Sequence, residues 1–255
     1  MYTKMKNGEV MSITPKDVLN KNRDLEKRVD VEDIDLKNVT VDDLKFNGDN
    51  YNEYINLQSL LENISACQIS DAFKGIAQRS GTIKSIKPIN NLKVWGSIYP
   101  VETSCDDWGT SALAIDDACE GDILFFKVDS DEKAIWGELA STSAKYNGIK
   151  ATVIYGSVRD LDALLDMDYP IFASNFVPNA GLALGLGTLN QPIEIEGNKI
   201  NPGDFFFGDE TGVIIIPKQL FNKVMISALE VKLTESAIVD KLGEGMTLAQ
   251  IAGLR

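Results

Sequence analysis

The sequence predicts an α/β fold that combines a parallel part with an antiparallel part. Between about residues 121 and 174, apolar stretches of strand length alternate with stretches of helical periodicity. This βαβαβ order implies parallel strands covered by helices. After residue 175, turns that contain glycine and proline separate short apolar stretches, which is typical of antiparallel hairpins.

The chain divides by composition into three segments. Residues 1–57 are dense in charge and carry short apolar repeats, so we expect an accessory N-terminal segment with a helix near 15–28 and irregular, partly extended structure after it. Residues 58–217 form the expected core domain, and residues 218–255 the expected C-terminal helices. The N-terminal segment could pack on the core or extend to a neighbouring subunit, and the sequence does not distinguish the two.

Helices and strands follow from periodicity and from the residues that end each element. Apolar residues at helical spacing predict a helix over 57–75 that ends at Gly75. Apart from Lys150 and Thr152, the stretch 149–156 is an apolar run, as expected for a strand covered on both faces. Further helices are predicted at 108–119, 137–148 (ended by Gly148), 159–168, 218–242 and 247–253. Further strands are predicted at 82–89, 93–103, 121–129 and 169–174, with hairpins across 191–217.

The complete absence of histidine is the most informative feature of the composition. It excludes Ser-His-Asp and Cys-His catalysis, histidine general bases and histidine-ligated zinc. Acid–base chemistry must then use carboxylates, lysine, tyrosine or bound water. A metal site would be rich in oxygen ligands and would favour Mg²⁺, Mn²⁺ or Ca²⁺. The three cysteines lack CxxC spacing and are expected to be reduced, mostly structural thiols.

Charge and hydropathy argue against two classes of partner. The formal net charge is −13 and no basic cluster occurs, which argues against nucleic-acid binding. No apolar run approaches the ~20 residues that span a bilayer, so no membrane association is expected. The N-terminal residues also lack the apolar stretch of a secretory signal. These features predict a globular cytoplasmic protein.

The stretch "YGSVRD" suggests a binding site. Arg159 and Asp160 follow a buried strand, at the sheet edge where ligands bind in open α/β folds. Arginine offers a planar fork to a carboxylate or an enolate oxygen, and aspartate offers a hard oxygen ligand to Mg²⁺. The simpler interpretation is a solvated arginine beside an aspartate that lies near the start of a helix.

The stretch "WGELAST" opens a helix whose first N–H groups have no intrahelical partner, so an anion could bind near Leu139 and Ala140. Alternatively, Glu138 only complements the helix dipole. The spacing favours a site, because the 20 residues between Glu138 and Arg159 amount to one helix plus one strand. Such a unit brings two helix starts together, so we expect Glu138, Arg159 and Asp160 to converge on one pocket.

The glycine-rich stretch "GLALGLGTL" (181–189) resembles a nucleotide-binding loop. A dinucleotide fingerprint requires a preceding strand, a following helix and an acidic residue about 20 positions further on. Here the glycines lead into β structure through Pro192. The sequence therefore disfavours a dinucleotide or S-adenosylmethionine site and favours a flexible loop that lines the pocket.

The chain resembles the RraA-like family, which includes the 4-hydroxy-4-methyl-2-oxoglutarate aldolases, also called class II pyruvate aldolases. The resemblance spans about residues 60–217 and, more weakly, the C-terminal helix. It rests on "SDAF", "GDILFF", "WGELASTSA", "VIYGSVRD", "YPIFA" and "INPGDFFFGDETGVIIIP". The family signature is an acidic residue, 20 residues and Arg-Asp; this chain has Glu138 where the family usually has aspartate. The resemblance implies a layered β/β/α sandwich of the swivelling-domain type, with mixed parallel and antiparallel sheets, assembled as homotrimers or homohexamers.

The resemblance also implies a metal and catalytic residues. Asp160 would hold Mg²⁺ (or Mn²⁺) largely through waters, and Arg159 would contact the 2-oxo oxygen and stabilise an enolate. Glu138 would orient a water on the metal, and either that water or Glu138 would act as base. Glu235 is the match for a family glutamate on the C-terminal helix that reaches the neighbouring subunit's site.

The implied substrate is a small 2-oxo acid. Its carboxylate would lie on the backbone amides at Gly137, Leu139 and Ala140, beside Arg159. The implied reaction is metal-dependent cleavage of a 4-hydroxy-2-oxo acid to pyruvate and a carbonyl product. Decarboxylation of oxaloacetate, which passes through the same enolate, is expected as a side activity.

Two other functions stay open at this point. Some members of the family bind and inhibit ribonuclease E, a role that needs a surface and not an Arg-Asp metal pair. A lysine Schiff base is the competing aldolase chemistry. Lys145 and Lys150 lie in the right segment, but neither has an evidently apolar setting.

Overall fold

The computed structural model of the chain describes residues 2–6, 9–13 and 57–254. These residues fall into two compact units: the first contains 2–6, 9–13, 57–63 and 229–254, and the second contains 64–228. The helix predicted near 15–28 lies outside the described residues. None of the helices in the described part of the chain is long and apolar enough to cross a membrane.

The described elements alternate between helix and strand through the middle of the chain. The helices are α1 Leu57–Asn63, α2 Ala66–Ala77, α3 Gly109–Asp117, α4 Glu138–Tyr146, α5 Leu161–Asp166, α6 Phe221–Gly243 and α7 Leu248–Ile251. The strands before residue 160 are β1 Tyr2–Lys6, β2 Glu9–Ile13, β3 Lys87–Pro88, β4 Val94–Thr103, β5 Ile123–Val128, β6 Ala134–Trp136 and β7 Ala151–Val158. The later strands are β8 Ile171–Phe176, β9 Thr188–Leu189, β10 Ile193–Ile195, β11 Asn198–Ile200, β12 Phe205–Asp209 and β13 Gly212–Ile216.

The first unit contains an unpredicted hairpin, the part of α6 from residue 229 onward and the short helix α7. Strands β1 and β2 pair antiparallel, with Met5 opposite Val10. Near the end of α1, the Asn63 carbonyl accepts a hydrogen bond of 2.7 Å from Lys232 Nζ on α6. Thr247 begins α7 with a capping box, in which its side chain and that of Gln250 bond to each other's backbone N–H.

The single helix predicted over 57–75 is wrong, because the chain starts a new helix at Ser65. The Ser65 hydroxyl accepts from the Gln68 N–H at 3.3 Å, and Gln68 Oε1 accepts from the Ser65 N–H at 3.1 Å. This capping box satisfies two N–H groups that a helix start leaves unpaired. Gly75 does not end the helix either: α2 continues to Ala77, and Gln78 adopts the left-handed conformation with φ 54°.

The second unit is built on a nine-stranded sheet. Seven of its strands follow the order β13-β12-β4-β5-β7-β8-β3. The other two pair at the side of this path, β6 with β7 and β9 with β4. Strands β4, β5, β7 and β8 run parallel, while β12, β13 and β3 pair antiparallel. This confirms the predicted mixed α/β fold with parallel and antiparallel parts.

The two ends of this sheet approach each other. An antiparallel bridge joins Thr82 to Ile214 of β13, and the Ile215 N–H donates to the Gly81 carbonyl at 2.9 Å. The sheet is therefore nearly closed. The strand predicted over 82–89 is correspondingly reduced to this bridge and the two residues of β3.

Alternate residues of the central strands face two apolar layers, as strand geometry requires. Leu124 and Phe126 of β5 pack with residues of α3, α4 and α5, among them Ala114, Ile115, Ala144 and Leu164. Ile123 and Phe125 face the other side and pack with the antiparallel strands, among them Ile193, Ile200, Phe206, Val213 and Ile215. Helices thus cover one face of the parallel strands and β structure covers the other. This arrangement leaves the carboxyl ends of the parallel strands as the edge from which the connecting turns emerge.

Candidate functional site

Two neighbouring turns form the candidate site. Strand β6 leads through Gly137 into α4, and β7 leads through Arg159 and Asp160 into α5. Strands β6 and β7 are parallel, with Trp136 opposite Val158, and the Arg159 N–H donates to the Trp136 carbonyl at 3.0 Å. The two helix starts therefore lie side by side, as the 20-residue spacing predicts. Strand β6 itself was not predicted.

Asp160 turns away from its own helix and contacts the start of α4. It adopts the left-handed conformation, with φ 58°, and its side chain does not cap α5. Its Oδ2 accepts a hydrogen bond of 3.2 Å from the Glu138 N–H and lies 3.5 Å from Arg159 Nε. Gly137 makes room for this carboxylate, since a Cβ at that position would overlap Asp160 Oδ2. The structure thus brings Gly137, Glu138, Arg159 and Asp160 together.

The start of α4 presents unpaired N–H groups beside Asp160. The first intrahelical bond runs from the Ser141 N–H to the Gly137 carbonyl at 3.0 Å, so the N–H groups of Leu139 and Ala140 have no partner within the helix. The buried Ser141 hydroxyl also donates to the Gly137 carbonyl at 2.9 Å and accepts from Trp136 Nε1 at 2.7 Å. These bonds fix the turn, and the geometry suits an anion docked on the helix start.

Asp160 is the carboxylate placed to hold a metal ion, and the side chain of Glu138, whose backbone N–H it contacts, is exposed. Within the described ranges, no cluster of three or more acidic or cysteine side chains could enclose a metal. Mg²⁺ keeps several waters and often binds through one or two carboxylates plus substrate oxygens. Asp160 uses Oδ2 for both contacts given above, so Oδ1 can accept a water or a cation. An oxygen ligand of this kind fits a hydrated Mg²⁺ or Mn²⁺ and does not fit an enclosed ion.

The two lysines that offered a competing chemistry lie at the opposite end of the strands. Lys150 precedes β7, and the eight residues of that strand separate it from Arg159 by roughly 25 Å. Its Nζ donates to the Trp95 carbonyl at 3.4 Å. Lys145 lies in the last turn of α4, 3.8 Å from Asp168. Neither lysine shares a pocket with Arg159, which argues against a Schiff base there.

Glu235 lies on α6 within the first unit, whereas Arg159 and Asp160 lie in the second. Its assignment to a neighbouring subunit's site stays a prediction.

Asp107 is a buried carboxylate whose role was not predicted from the sequence. It is only 2% exposed, and its carboxylate accepts from the N–H groups of Leu184, Gly185 and Leu186 at 2.7 to 3.0 Å. The Thr110 hydroxyl donates to it at 2.7 Å. The glycine-rich stretch thus wraps around an internal carboxylate and runs into β9, not into a helix. The sequence does contain a signal for this role. An acidic residue lies three positions before Thr110, at the start of α3, and this pattern is typical of residues that cap a helix.

These bonds determine the charge state of Asp107. Burial alone would raise the pKa of Asp107, but hydrogen bonds from Gly185, Leu186, Thr110 and Leu184 outweigh it and hold the pKa well below its usual range. A depressed folded-state pKa contributes stability that is fully present above the unfolded value of about 4 and is lost as the pH falls below it.

We therefore expect Asp107→Asn to destabilise the protein at pH 7 by more than about 2 kcal/mol, because the amide cannot accept the same set of bonds. The variant should also lose stability less steeply than the parent protein between about pH 4 and pH 2. Urea unfolding across this pH range measures both effects. Asp116→Asn, at an exposed position of α3, serves as the control, and its stability should follow that of the parent at each pH. Parallel pH profiles for Asp107→Asn and the parent would contradict the assignment.

Comparison with known proteins identifies relatives of the chain. The family model described as "RraA-like: Aldolase/RraA" matches residues 66–215. The chain is 34% identical over 200 residues to an uncharacterised protein of Methanocaldococcus jannaschii, covering 77% of this chain and 93% of that protein. It is 35% identical over 152 residues to a Halalkalibacterium halodurans protein named "Putative 4-hydroxy-4-methyl-2-oxoglutarate aldolase". The alignment covers 59% of this chain and 71% of that protein.

A solved structure supports the fold. The solved structure of the RNA-processing inhibitor RraA from Thermus thermophilis superposes with a TM-score of 0.53 at 20% identity, covering 58% of this chain and 92% of that one. Since the family model spans more than half of the chain, and a relative above 30% identity aligns over most of its length, the assignment does not depend on this neighbour. The chain belongs to the RraA-like family.

Proposed function

We propose that the protein is a divalent-metal-dependent aldolase that cleaves a 4-hydroxy-2-oxo acid to pyruvate and a carbonyl product. The observation that carries the proposal is the contact of Asp160 Oδ2 with the Glu138 N–H and with Arg159. It joins a carboxylate, a guanidinium and a free helix start in one place. Family membership and the aldolase name of a relative support the same chemistry.

The 2-oxo acid end of the substrate is held by this chain's own groups. Its carboxylate binds to the N–H groups of Leu139 and Ala140, where the helix dipole favours an anion. Arg159 donates to the 2-oxo oxygen and supplies fixed positive charge where negative charge develops. A Mg²⁺ ion held by Asp160, largely through waters, would supply Lewis-acid stabilisation of the enolate charge.

The reaction is a retro-aldol cleavage. Glu138 accepts the proton of the C4 hydroxyl, the C3–C4 bond breaks, and C4 becomes a carbonyl carbon. The electron pair of the broken bond moves into the C2–C3 bond, and the negative charge on the enolate oxygen is stabilised beside Arg159. Protonation of C3 then gives pyruvate. Loss of CO₂ from oxaloacetate leaves the same enolate, so the same groups would support that side activity.

The test is pyruvate release from a panel of 4-hydroxy-2-oxo acids and from oxaloacetate. We expect turnover with Mg²⁺ or Mn²⁺, its loss with EDTA and its recovery when the metal is restored. Borohydride added with pyruvate should not inactivate the protein, because no lysine imine forms. Turnover that resists EDTA, or inactivation by borohydride, would contradict the proposal.

The competing function is that of a protein-binding regulator of the ribonuclease E inhibitor type. It would be favoured if no member of the panel were cleaved and if pyruvate showed no exchange of its methyl protons with solvent.

We also expect the chain to assemble as a trimer or hexamer, which light scattering of the full-length chain would measure.

A further inference from the structure

Residues 177–187, here called the apolar loop, cross the edge formed by the carboxyl ends of the parallel strands. The loop leaves β8, and the Val177 N–H donates to the Val158 carbonyl, next to Arg159, at 2.9 Å. The Ala134 N–H of β6 donates to the Asn179 carbonyl at 2.9 Å. After the loop, β9 pairs with the carboxyl end of β4, with Thr188 opposite Glu102. The loop therefore passes all the strand ends from which the candidate site is built.

The apolar loop carries no charged residue and exposes its leucines. Its sequence is "VPNAGLALGLG", and Leu182, Leu184 and Leu186 are all exposed, the last at 79%. Leu139, the second residue of α4, is 81% exposed at the same edge. The three hydrogen bonds to Asp107 hold the backbone of the loop in place. The leucines are therefore held beside the start of α3, at the same edge of the sheet as the candidate site, and do not depend on an apolar core for their position.

Positive charge is scarce along this edge. The turns and short strand that follow β4, β5, β7 and β8 (residues 104–109, 129–138, 159–162 and 177–187) contain two basic residues, Lys133 and Arg159. The Lys133 ammonium is paired with Asp106. The same turns contain eight acidic residues: Asp106, Asp107, Asp129, Asp131, Glu132, Glu138, Asp160 and Asp162. Within these described turns, Arg159 is the one cation left for a substrate.

We propose that the site takes 4-hydroxy-2-oxo acids whose part beyond C4 is apolar and uncharged, and that it discriminates against substrates with a second carboxylate. This inference rests on the proposed aldolase function and names its substrate class. Arg159 and the start of α4 account for one anionic end, the 2-oxo acid. A second carboxylate would lie among acidic side chains without a cation, whereas an alkyl group would remove leucine surface from water.

The test compares two substrates that differ at the distal end. With the full-length protein and Mg²⁺, 4-hydroxy-2-oxohexanoate gives pyruvate and propanal, and 4-hydroxy-2-oxoglutarate gives pyruvate and glyoxylate. We expect kcat/KM to favour the hexanoate by at least about 10-fold, the scale on which apolar pockets discriminate. A ratio at or below one would overturn the inference.

Three variants locate the effect. Leu186→Lys should lower the ratio by raising kcat/KM for the glutarate, and Leu186→Gln should lower the hexanoate rate without raising the glutarate rate. Tyr146→Lys adds the same charge at an exposed residue in the last turn of α4 and should leave the ratio unchanged. An equal response to Tyr146→Lys and Leu186→Lys would assign the preference to net charge and overturn the role of the loop.

A separate measurement distinguishes failure of the inference from failure of the proposed function. Exchange of the pyruvate methyl protons in D₂O, followed by NMR, reports the enolate chemistry without any distal group. Exchange combined with preference for the glutarate overturns the substrate class alone. Absence of exchange overturns the aldolase function and this inference with it.

Discussion

Replacement of Asp160 by asparagine is expected to lower metal-dependent pyruvate release by about 100- to 1,000-fold. The amide keeps an oxygen that can accept the Glu138 N–H, and asparagine tolerates the left-handed backbone of this position, with φ 58°, as well as aspartate does. The change therefore removes the negative charge, which a cation and Arg159 require, while it preserves the local fold. The measurement is kcat/KM together with the Mg²⁺ concentration that gives half-maximal rate.

Asp162→Asn is the matched control, because Asp162 is an exposed carboxylate two residues further along the same turn and helix. It should retain the parent activity. The thermal unfolding midpoints of both variants should stay close to that of the parent. Equal losses of activity in the two variants would show that the general acidity of the edge matters and that Asp160 has no particular role.

Gly137→Ala is expected to reduce kcat/KM by about 10- to 100-fold, the cost of displacing a catalytic group by about 1 Å. The backbone of Gly137 is extended, with φ −167°, so alanine can adopt it. The obstacle is space, since the new Cβ would overlap Asp160 Oδ2 and lie 3.1 Å from Arg159 Cγ. The carboxylate must rotate and give up the Glu138 N–H.

Gly75→Ala controls for the added methyl group. A Cβ at Gly75 meets no atom within 4 Å, and alanine is the better helix former there. We expect unchanged activity and a slightly higher unfolding midpoint for this variant. Full activity in Gly137→Ala would mean that the carboxylate does not need its contact with the start of α4.

Local signals account for the parts of the site that the sequence predicted. The strand before Arg159 is mostly apolar, and the helix after Asp160 has its own periodicity, so the turn between them was visible in the sequence. The 20-residue interval then placed Glu138 beside them. Strand β6 was missed because three residues after the charged stretch "DSDEK" give no periodicity, and its pairing with β7 is a tertiary contact.

The errors have the same physical origin. Apolar spacing continued across Ser65, so the helix start there depended on a capping box that periodicity does not report. Asp107 reads as an ordinary acidic residue, and its role appears only once residues 184–186, far along the chain, close around it. The left-handed backbone of Asp160 was likewise not visible in the sequence, because only the packing of two turns explains it.

Near-closure of the sheet also bears on how the second unit behaves in concentrated solution. A free strand edge offers unpaired N–H and C=O groups on which another chain can build β structure. At one end, backbone groups of β13 are hydrogen-bonded within the chain itself. Ile214 forms a bridge with Thr82, and the Ile215 N–H donates to the Gly81 carbonyl. At the other end, β3 has only two residues, and Pro88 carries no N–H. The described part of this unit therefore offers little template for edge-to-edge aggregation, although its sheet has nine strands.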